Sequence, residues 1–202
     1  MIFPGANEFR NLARANNLIP VWTTVPADLL TPVSAYLKLT RGKGKTRKVS
    51  SYSFLLESVE GGETIARYTY LGADPFLVLR YWLDSSEDRT HDSGRIEILE
   101  KGRRRELRGN LMSVAREVFS AFRAVRSAEL PPFTAGAVGY LGYDLVSLRE
   151  PVPLPPRSRG VKQGEGMPDA VLMFCATLLV FDHVKQEVTI VRNVRVSEGL
   201  SK

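Results

Sequence analysis

Two glycine-containing stretches are the first candidates for nucleotide chemistry. Gly44-Lys45-Thr46 has the end of a phosphate-binding P-loop, but that loop needs a glycine five positions before the Gly-Lys pair, and position 39 is leucine. Gly136, Gly139 and Gly142 are three residues apart, whereas the dinucleotide fingerprint is Gly-x-Gly-x-x-Gly at the start of a helix. Their neighbours favour a strand, in which glycine permits close backbone approach. Neither stretch predicts a nucleotide site.

Metal and nucleophilic chemistry have little support. His91 and His183 are the only histidines, and neither has a cysteine or second histidine at zinc-ligand spacing. The single cysteine, Cys175, lies in an apolar run, where a cysteine usually acts as a small hydrophobic residue. No Gly-x-Ser-x-Gly nucleophile elbow occurs, although a Ser-His-Asp triad assembled in space stays open. The residues alone predict no catalytic site, metal or cofactor.

The excess positive charge is concentrated in two short runs. The net charge is +6, and residues 41–48 and 101–105 carry much of it. Both runs contain glycine and lack aromatic residues on which bases could stack, which favours solvated loops over a nucleic-acid site. The nucleic-acid alternative would require an affinity that falls steeply with salt.

The location is predicted to be cytoplasmic, with no membrane partner. The first residues lack the basic and apolar regions of a secretory signal. The longest apolar run, residues 170–181, is too short to span a bilayer as a helix. One cysteine cannot form an internal disulfide, which fits a reducing compartment.

Hydrophobic periodicity and turn residues predict an α+β fold with a largely antiparallel β-sheet or sandwich and about three helices. Predicted helices cover residues 8–17, 31–39 and 111–125. Predicted strands cover residues 18–25, 52–59, 64–71, 76–83, 95–99, 134–144, 170–181 and 187–196. Gly61-Gly62 predicts a hairpin turn, and residues 151–168 a long loop.

Three motifs carry a family resemblance. The first is Leu55-Leu56-Glu57-Ser58 together with Arg67-Tyr-Thr-Tyr-Leu-Gly72. The second covers residues 132–144, and the third covers residues 21–28 with Thr31-Pro32. Their order and spacing resemble the N-terminal domain of anthranilate synthase component I. The second motif is also similar to that of aminodeoxychorismate synthase component I. It usually has two adjacent glycines where this chain has Ala135-Gly136.

The resemblance covers about residues 8–196, and it implies that residues 1–202 form one regulatory and scaffold domain. The fold would be the N-terminal half of the chorismate-utilising anthranilate synthase fold. Catalytic residues, chorismate and Mg²⁺ would belong to a C-terminal domain absent from this chain, so this domain would hold no cofactor. The implied partners are that domain and a glutamine amidotransferase subunit, component II.

The resemblance also implies an L-tryptophan feedback site at Leu56, Glu57, Ser58 and Arg67. Enteric members of the family have lysine at about the position of Arg67. Arg67 would oppose the ligand carboxylate and Glu57 its ammonium group. Strand alternation places Leu55 and Glu57 on one face, with Leu56 and Ser58 on the other. Glu57 and Ser58 could instead be ordinary sheet residues, and residues 136–144 could be purely structural.

The resemblance implies the regulatory part of an enzyme that makes anthranilate and pyruvate from chorismate and glutamine or ammonia. A part of aminodeoxychorismate synthase is one alternative. A non-catalytic amino-acid-binding module is another.

Overall fold

The computed structural model describes residues 1–40, 52–57, 67–84, 94–100, 102–150, 152 and 166–196. The α-helices there are α1 (Ala6–Leu12), α2 (Pro32–Thr40) and α3 (Leu111–Ser120), and a 3₁₀ helix covers Tyr143–Leu148. The strands are β1 (Leu18–Pro26), β2 (Ser53–Leu56), β3 (Tyr68–Ala73), β4 (Pro75–Leu83), β5 (Gly94–Glu100), β6 (Arg103–Gly109), β7 (Val138–Leu141), β8 (Ala170–Cys175), β9 (Thr177–Asp182) and β10 (Glu187–Arg195). No helix in these ranges is both long and apolar enough to cross a membrane.

The chain divides into two compact units that interleave along the sequence. The first consists of Met1–Pro75, Phe122–Gly136 and Cys175–Lys202. The second consists of Phe76–Ala121 and Ala137–Phe174. Each unit contains one five-stranded sheet, almost entirely within its own residues.

The sheet of the first unit has the strand order β1-β10-β9-β3-β2, with antiparallel neighbours throughout. Leu71, Phe181 and Val188 of this sheet form a core cluster with Ala35 of α2. Helix α2 starts where the sequence predicts, because Pro32 suits the first helical position and the Thr31 hydroxyl accepts a 3.2 Å hydrogen bond from the Ser34 N–H. Helix α2 thereby covers part of one face of this sheet.

The sheet of the second unit has the order β6-β5-β4-β8-β7. Its β4–β5, β5–β6 and β7–β8 pairs are antiparallel, and Leu79, Tyr81 and Ile96 are fully buried. Asn110 caps α3 by accepting a 2.8 Å hydrogen bond from the Ser113 N–H. The ring of Phe119 on α3 lies 5.1 Å from that of Phe174 on β8, centroid to centroid.

The edge strands of both sheets, within the described ranges, are short or carry residues that discourage further pairing. Strands β2 and β7 have four residues each. Strand β1 contains Pro20 and Pro26. Strand β6 carries Arg103, Arg104, Arg105 and Arg108.

The predicted α+β class and largely antiparallel pairing are confirmed. The interpretation of residues 101–105 as a loop was wrong, because Arg103–Arg105 begin β6 and Arg104 pairs with Glu97 on β5. The predicted strand over residues 170–181 is two strands, β8 and β9, which belong to different sheets.

Three other predicted elements are longer than the observed ones. The first helix ends at Leu12, and the third ends at Ser120 rather than at residue 125. The predicted strand over residues 134–144 is reduced to β7, followed by the 3₁₀ helix. Gly61-Gly62 and most of residues 151–168 lie outside the described ranges.

Candidate functional site

The predicted amino-acid site begins at the end of strand β2, at an edge of the first unit's sheet. Leu56 is the last residue of β2, lies opposite Tyr70 of β3 and is 48% exposed. Glu57 follows directly and is also exposed. Ser58, the third predicted residue, lies outside the described residues. The strand therefore presents one apolar and one acidic side chain to solvent at adjacent positions.

The alternation along β2 follows the predicted pattern. Leu55 lies opposite Leu71 and packs against the core cluster beneath α2. Because neighbouring residues of a strand point to opposite faces, Leu56 and Tyr70 lie on the face away from that cluster. This second face is the one available to a ligand near Leu56.

Arg67, the fourth predicted residue, binds a carboxylate of the protein itself. Its Nη2 lies 2.7 Å from Asp182 Oδ2, and its Nε lies 3.1 Å from both carboxylate oxygens. The guanidinium also lies over the Tyr68 ring, 5.0 Å from the centroid. The sequence predicted that Arg67 would bind the carboxylate of a ligand. Among the described residues, its carboxylate partner is Asp182.

Asp182 holds both Arg67 and the turn between β9 and β10. Its Oδ1 accepts 3.1 Å hydrogen bonds from the main-chain N–H groups of Val184 and Lys185. Burial alone would raise the pKa of Asp182, but the hydrogen bond from Arg67 and those two N–H groups together lower it below the ordinary value. The same hydrogen bond raises the pKa of Arg67. The pair is therefore charged on both sides at neutral pH.

Arg67 and Leu56 are not cross-strand neighbours. Arg67 precedes Tyr70, the partner of Leu56, by three residues, which corresponds to roughly 10 Å along an extended strand. Leu56 and Glu57 are thus adjacent in the sequence, and Arg67 lies farther away, just before the neighbouring strand β3.

A row of aromatic rings, for which the sequence predicted no role, lies between Leu56 and Arg67. The ring centroids of Tyr68 and Tyr70 are 6.0 Å apart, and Phe133 meets Tyr70 edge to face at 5.6 Å. Burial raises the pKa of Tyr70, and a main-chain hydrogen bond from Phe133 offsets part of the rise. The signal was the Tyr-Thr-Tyr alternation, which places both tyrosines on one strand face. Phe133 comes from the second motif, so the two motifs meet here.

The second half of that motif belongs to the second unit and shapes its sheet. A Cβ added at Gly139 would lie 1.7 Å from the carbonyl oxygen of Val171 on β8, so no side chain fits there. The Tyr140 hydroxyl donates a 2.6 Å hydrogen bond to the Pro168 carbonyl, whereas Tyr143 is 83% exposed. Gly139 thus permits close approach of β7 to β8.

Comparison with known proteins gives a consistent result. The chain is 35% identical over all of its 202 residues to anthranilate synthase component 1 of Acetivibrio thermocellus, covering 36% of that protein. It is 38% identical to the Synechocystis anthranilate synthase component 1 over 93% of this chain and 33% of that protein. The chain is a homologue of part of anthranilate synthase component 1. It spans about a third of the length of these relatives.

This anthranilate synthase homologue was also compared with solved structures and with protein-family models. The solved anthranilate synthase component I of Streptococcus pneumoniae TIGR4 is similar with a TM-score of 0.44 and 23% identity, over 88% of this chain and 32% of that one. A scan against protein-family models finds no match.

The described histidine and cysteine of the anthranilate synthase homologue have structural surroundings. His183 Nε2 lies 2.7 Å from the Thr69 hydroxyl, and His91 lies outside the described ranges. Burial raises the pKa of the Cys175 thiol to about 11, so the thiol is protonated at neutral pH. Among the described residues, no three His, Cys, Asp or Glu side chains cluster in a way that could hold a metal ion.

Proposed function

We propose that this chain is the N-terminal, regulatory part of anthranilate synthase component I. The observation that carries the proposal is the 35% identity to such a component along the whole of the chain. In this proposal the complete subunit converts chorismate and ammonia into anthranilate and pyruvate. The remaining part of the subunit binds chorismate and Mg²⁺, and a glutamine amidotransferase subunit, component II, supplies the ammonia.

The role proposed for the chain's own residues is feedback control by L-tryptophan. Leu56, Tyr68 and Tyr70 share one face of the sheet, because Leu56 pairs with Tyr70 and the tyrosines are two residues apart. Aromatic rings of this kind can pack against an indole in offset or edge-to-face geometry. Glu57 is exposed and follows the last residue of β2, so strand alternation need not hold there, and we assign it to the ammonium group.

Arg67 can contribute to this site without giving up Asp182. A guanidinium has five N–H donors, and Asp182 engages those on Nε and Nη2. Its Nη1 has no hydrogen-bond partner among the described residues, so it can donate to the carboxylate of an amino acid. Asp182 would then fix the orientation of the guanidinium before the ligand arrives, which lowers the entropic cost of binding.

Control of a distant active site requires that tryptophan bind two states of the subunit with different affinities. We assign tryptophan to the state in which the catalytic part is not closed around chorismate. Couplings of this kind are typically about 1–3 kcal/mol, which corresponds to roughly 5- to 150-fold in affinity.

The test is a Ser58→Phe variant of the complete subunit, assayed with component II. A phenylalanine would fill space proposed for the ligand, so the tryptophan concentration for half inhibition should rise at least about 10-fold, with kcat within about 2-fold of wild type. Ser120→Phe is the matched control, because Ser120 is exposed on α3 of the second unit.

Unchanged inhibition in the Ser58→Phe enzyme would show that the site assignment is wrong while leaving the enzyme assignment intact. Identifying the aminated product tests the enzyme assignment separately. If the product were aminodeoxychorismate instead of anthranilate, the chain would be part of aminodeoxychorismate synthase.

A further inference from the structure

The first unit has an open groove of about 820 Å³ between helix α1 and the end of strand β10. Apolar side chains make up much of its lining, among them Ile2, Phe9, Ala13 and Val194. It involves none of the four residues of the proposed tryptophan site. The groove is therefore a second, independent feature of the same unit.

Helix α1 lacks the packing that a short helix normally needs. It has seven residues and none of them is buried. Ala6, Phe9 and Ala13, spaced as one face of a helix, all line the groove. Helices of this length draw most of their stability from tertiary contacts of an apolar face. Within the described residues the apolar face of α1 is only partly covered, because Phe9 and Ala13 are half-buried and Ala6 is exposed.

The polar part of the lining is uniformly basic. Arg10, Arg14 and Arg195 line the groove together with no Asp or Glu. Arg10 donates to the neutral Asn7 side chain at 2.9 Å, and Arg195 lies over the Phe122 ring at 5.3 Å. Among the described residues, neither Arg10 nor Arg14 forms a salt bridge. A binding partner would therefore have to bring carboxylates as well as apolar surface.

We propose that this groove docks an acidic amphipathic segment from the part of the complete subunit outside residues 1–202. The inference depends on the proposed function only in requiring a longer subunit, and the relatives are long enough to supply one. Apolar side chains of the segment would cover Phe9 and Ala13. Its carboxylates would pair with Arg10 and Arg14.

The charge pattern argues against two other occupants. A second copy of the chain would bring the same arginines face to face, which costs energy through like-charge repulsion. A small-molecule site usually has a few fixed polar groups in an otherwise enclosed cavity. The arginines of this groove are exposed, so they suit the charged rim of a protein–protein contact better.

The experiment places a photo-crosslinking amino acid, p-benzoylphenylalanine, at Ala13 of the purified complete subunit, with mass spectrometry to identify the linked peptide. We expect a cross-link to an intramolecular segment outside residues 1–202 that contains both apolar and acidic residues. Adding Arg14→Glu should lower the yield about five-fold by repelling the carboxylates. Arg14→Lys should largely preserve it.

The matched control is Arg126→Glu, which reverses an exposed charge of the same unit outside the groove and should leave the yield unchanged. Cross-links confined to residues 1–202, cross-links between two copies, or a yield insensitive to Arg14→Glu would overturn the proposal. The readout needs neither activity nor tryptophan. Failure of the Ser58→Phe prediction would therefore not contradict the proposed docking groove. Failure of the cross-linking prediction would likewise not contradict the proposed tryptophan site.

Discussion

Asp182 holds one side chain and two neighbouring main-chain N–H groups in the first unit. It fixes Arg67 just before β3 and accepts hydrogen bonds from Val184 and Lys185 in the turn after β9. Arg67 and Asp182 are 115 residues apart in the sequence. The pair therefore contributes to the alignment of β3 with β9 as well as to the geometry of the turn.

Asp182→Ala should destabilise the chain by about 1–2 kcal/mol, because the two main-chain N–H groups lose their acceptor. Asp182→Asn should cost less, since its amide oxygen can still accept from both. Urea unfolding at pH 7 measures the difference. Equal stability of the alanine variant and wild type would mean that Asp182 does not hold this turn.

The same residue predicts a pH dependence. Since folding lowers the pKa of Asp182, its ionised form stabilises the native state above the ordinary pKa near ~4, and that contribution is lost as the pH falls through the lowered value. The stability difference between wild type and Asp182→Asn should thus be full at pH 7 and should shrink as the pH falls below about 4 toward the lowered pKa. A constant difference across this range would contradict it.

At the candidate site, the sequence predicted how neighbouring side chains of a strand are oriented. It did not predict contacts between residues that are far apart in the chain. Strand alternation predicted that Leu55 and Leu56 would face opposite sides, because that relation depends only on neighbouring residues. The engagement of Arg67 by Asp182 could not be predicted, because the partner lies on a strand contributed from far along the chain.

At the scale of elements, strand β6 was missed because its sequence is dominated by charge. Arg103–Arg105 lack the β-branched and aromatic residues that usually indicate strands. Two ion pairs join this strand to β5, because Arg104 reaches Glu97 and Arg95 reaches Glu106. Such cross-strand charge pairs depend on register, which a single sequence does not reveal.

The division of residues 170–181 into β8 and β9 was missed for a different reason. The run is almost continuously apolar, and the signal for a break is a single Ala176 rather than a glycine or proline. Hydrophobic periodicity identifies buried strand residues but does not assign them to one sheet or another. By contrast, the polar residues 182–186 mark the break between the predicted strands over residues 170–181 and 187–196, and the turn between β9 and β10 lies there.

The close pairing of β7 and β8 predicts a strong effect of Gly139→Ala. The new Cβ would meet the main-chain oxygen of Val171 at 1.7 Å, and this atom cannot move without breaking the strand pair. We expect a loss of about 3 kcal/mol in the free energy of unfolding. Gly109→Ala is the control, because no atom lies within 4 Å of its added Cβ.

The Gly109→Ala chain should differ from wild type by less than about 0.5 kcal/mol in chemical denaturation. If both glycine substitutions had the same small effect, β7 would not approach β8 as closely as described. If both had the same large effect, chain flexibility rather than steric contact would be responsible.

At the scale of the whole molecule, the positive charge is partly compensated by specific pairs. Arg80 and Arg104 flank Glu97, and Arg108 pairs with Asp84, all within the second unit. Each acidic partner reduces the field of the arginines that it contacts, and it is already counted in the net charge of +6.

The mass of the native gene product can be predicted from the relatives, because this chain covers only part of their length. Since the chain spans 36% of its Acetivibrio relative, the intact product in its own cells should exceed twice the chain's 22.5 kDa. Intact-mass spectrometry of the native protein measures this directly. A product of 22.5 kDa would exclude chorismate amination by this polypeptide alone and would favour a separate amino-acid sensor.

The composition of the edge strands also affects how this chain would behave at high concentration. Fibre growth requires a long edge whose main-chain groups can accept another strand. Here the described edges are four residues long, interrupted by proline, or lined with arginines that repel the same edge of a second molecule. Concentrated solutions of the chain should therefore not form ordered fibrils through these described edges.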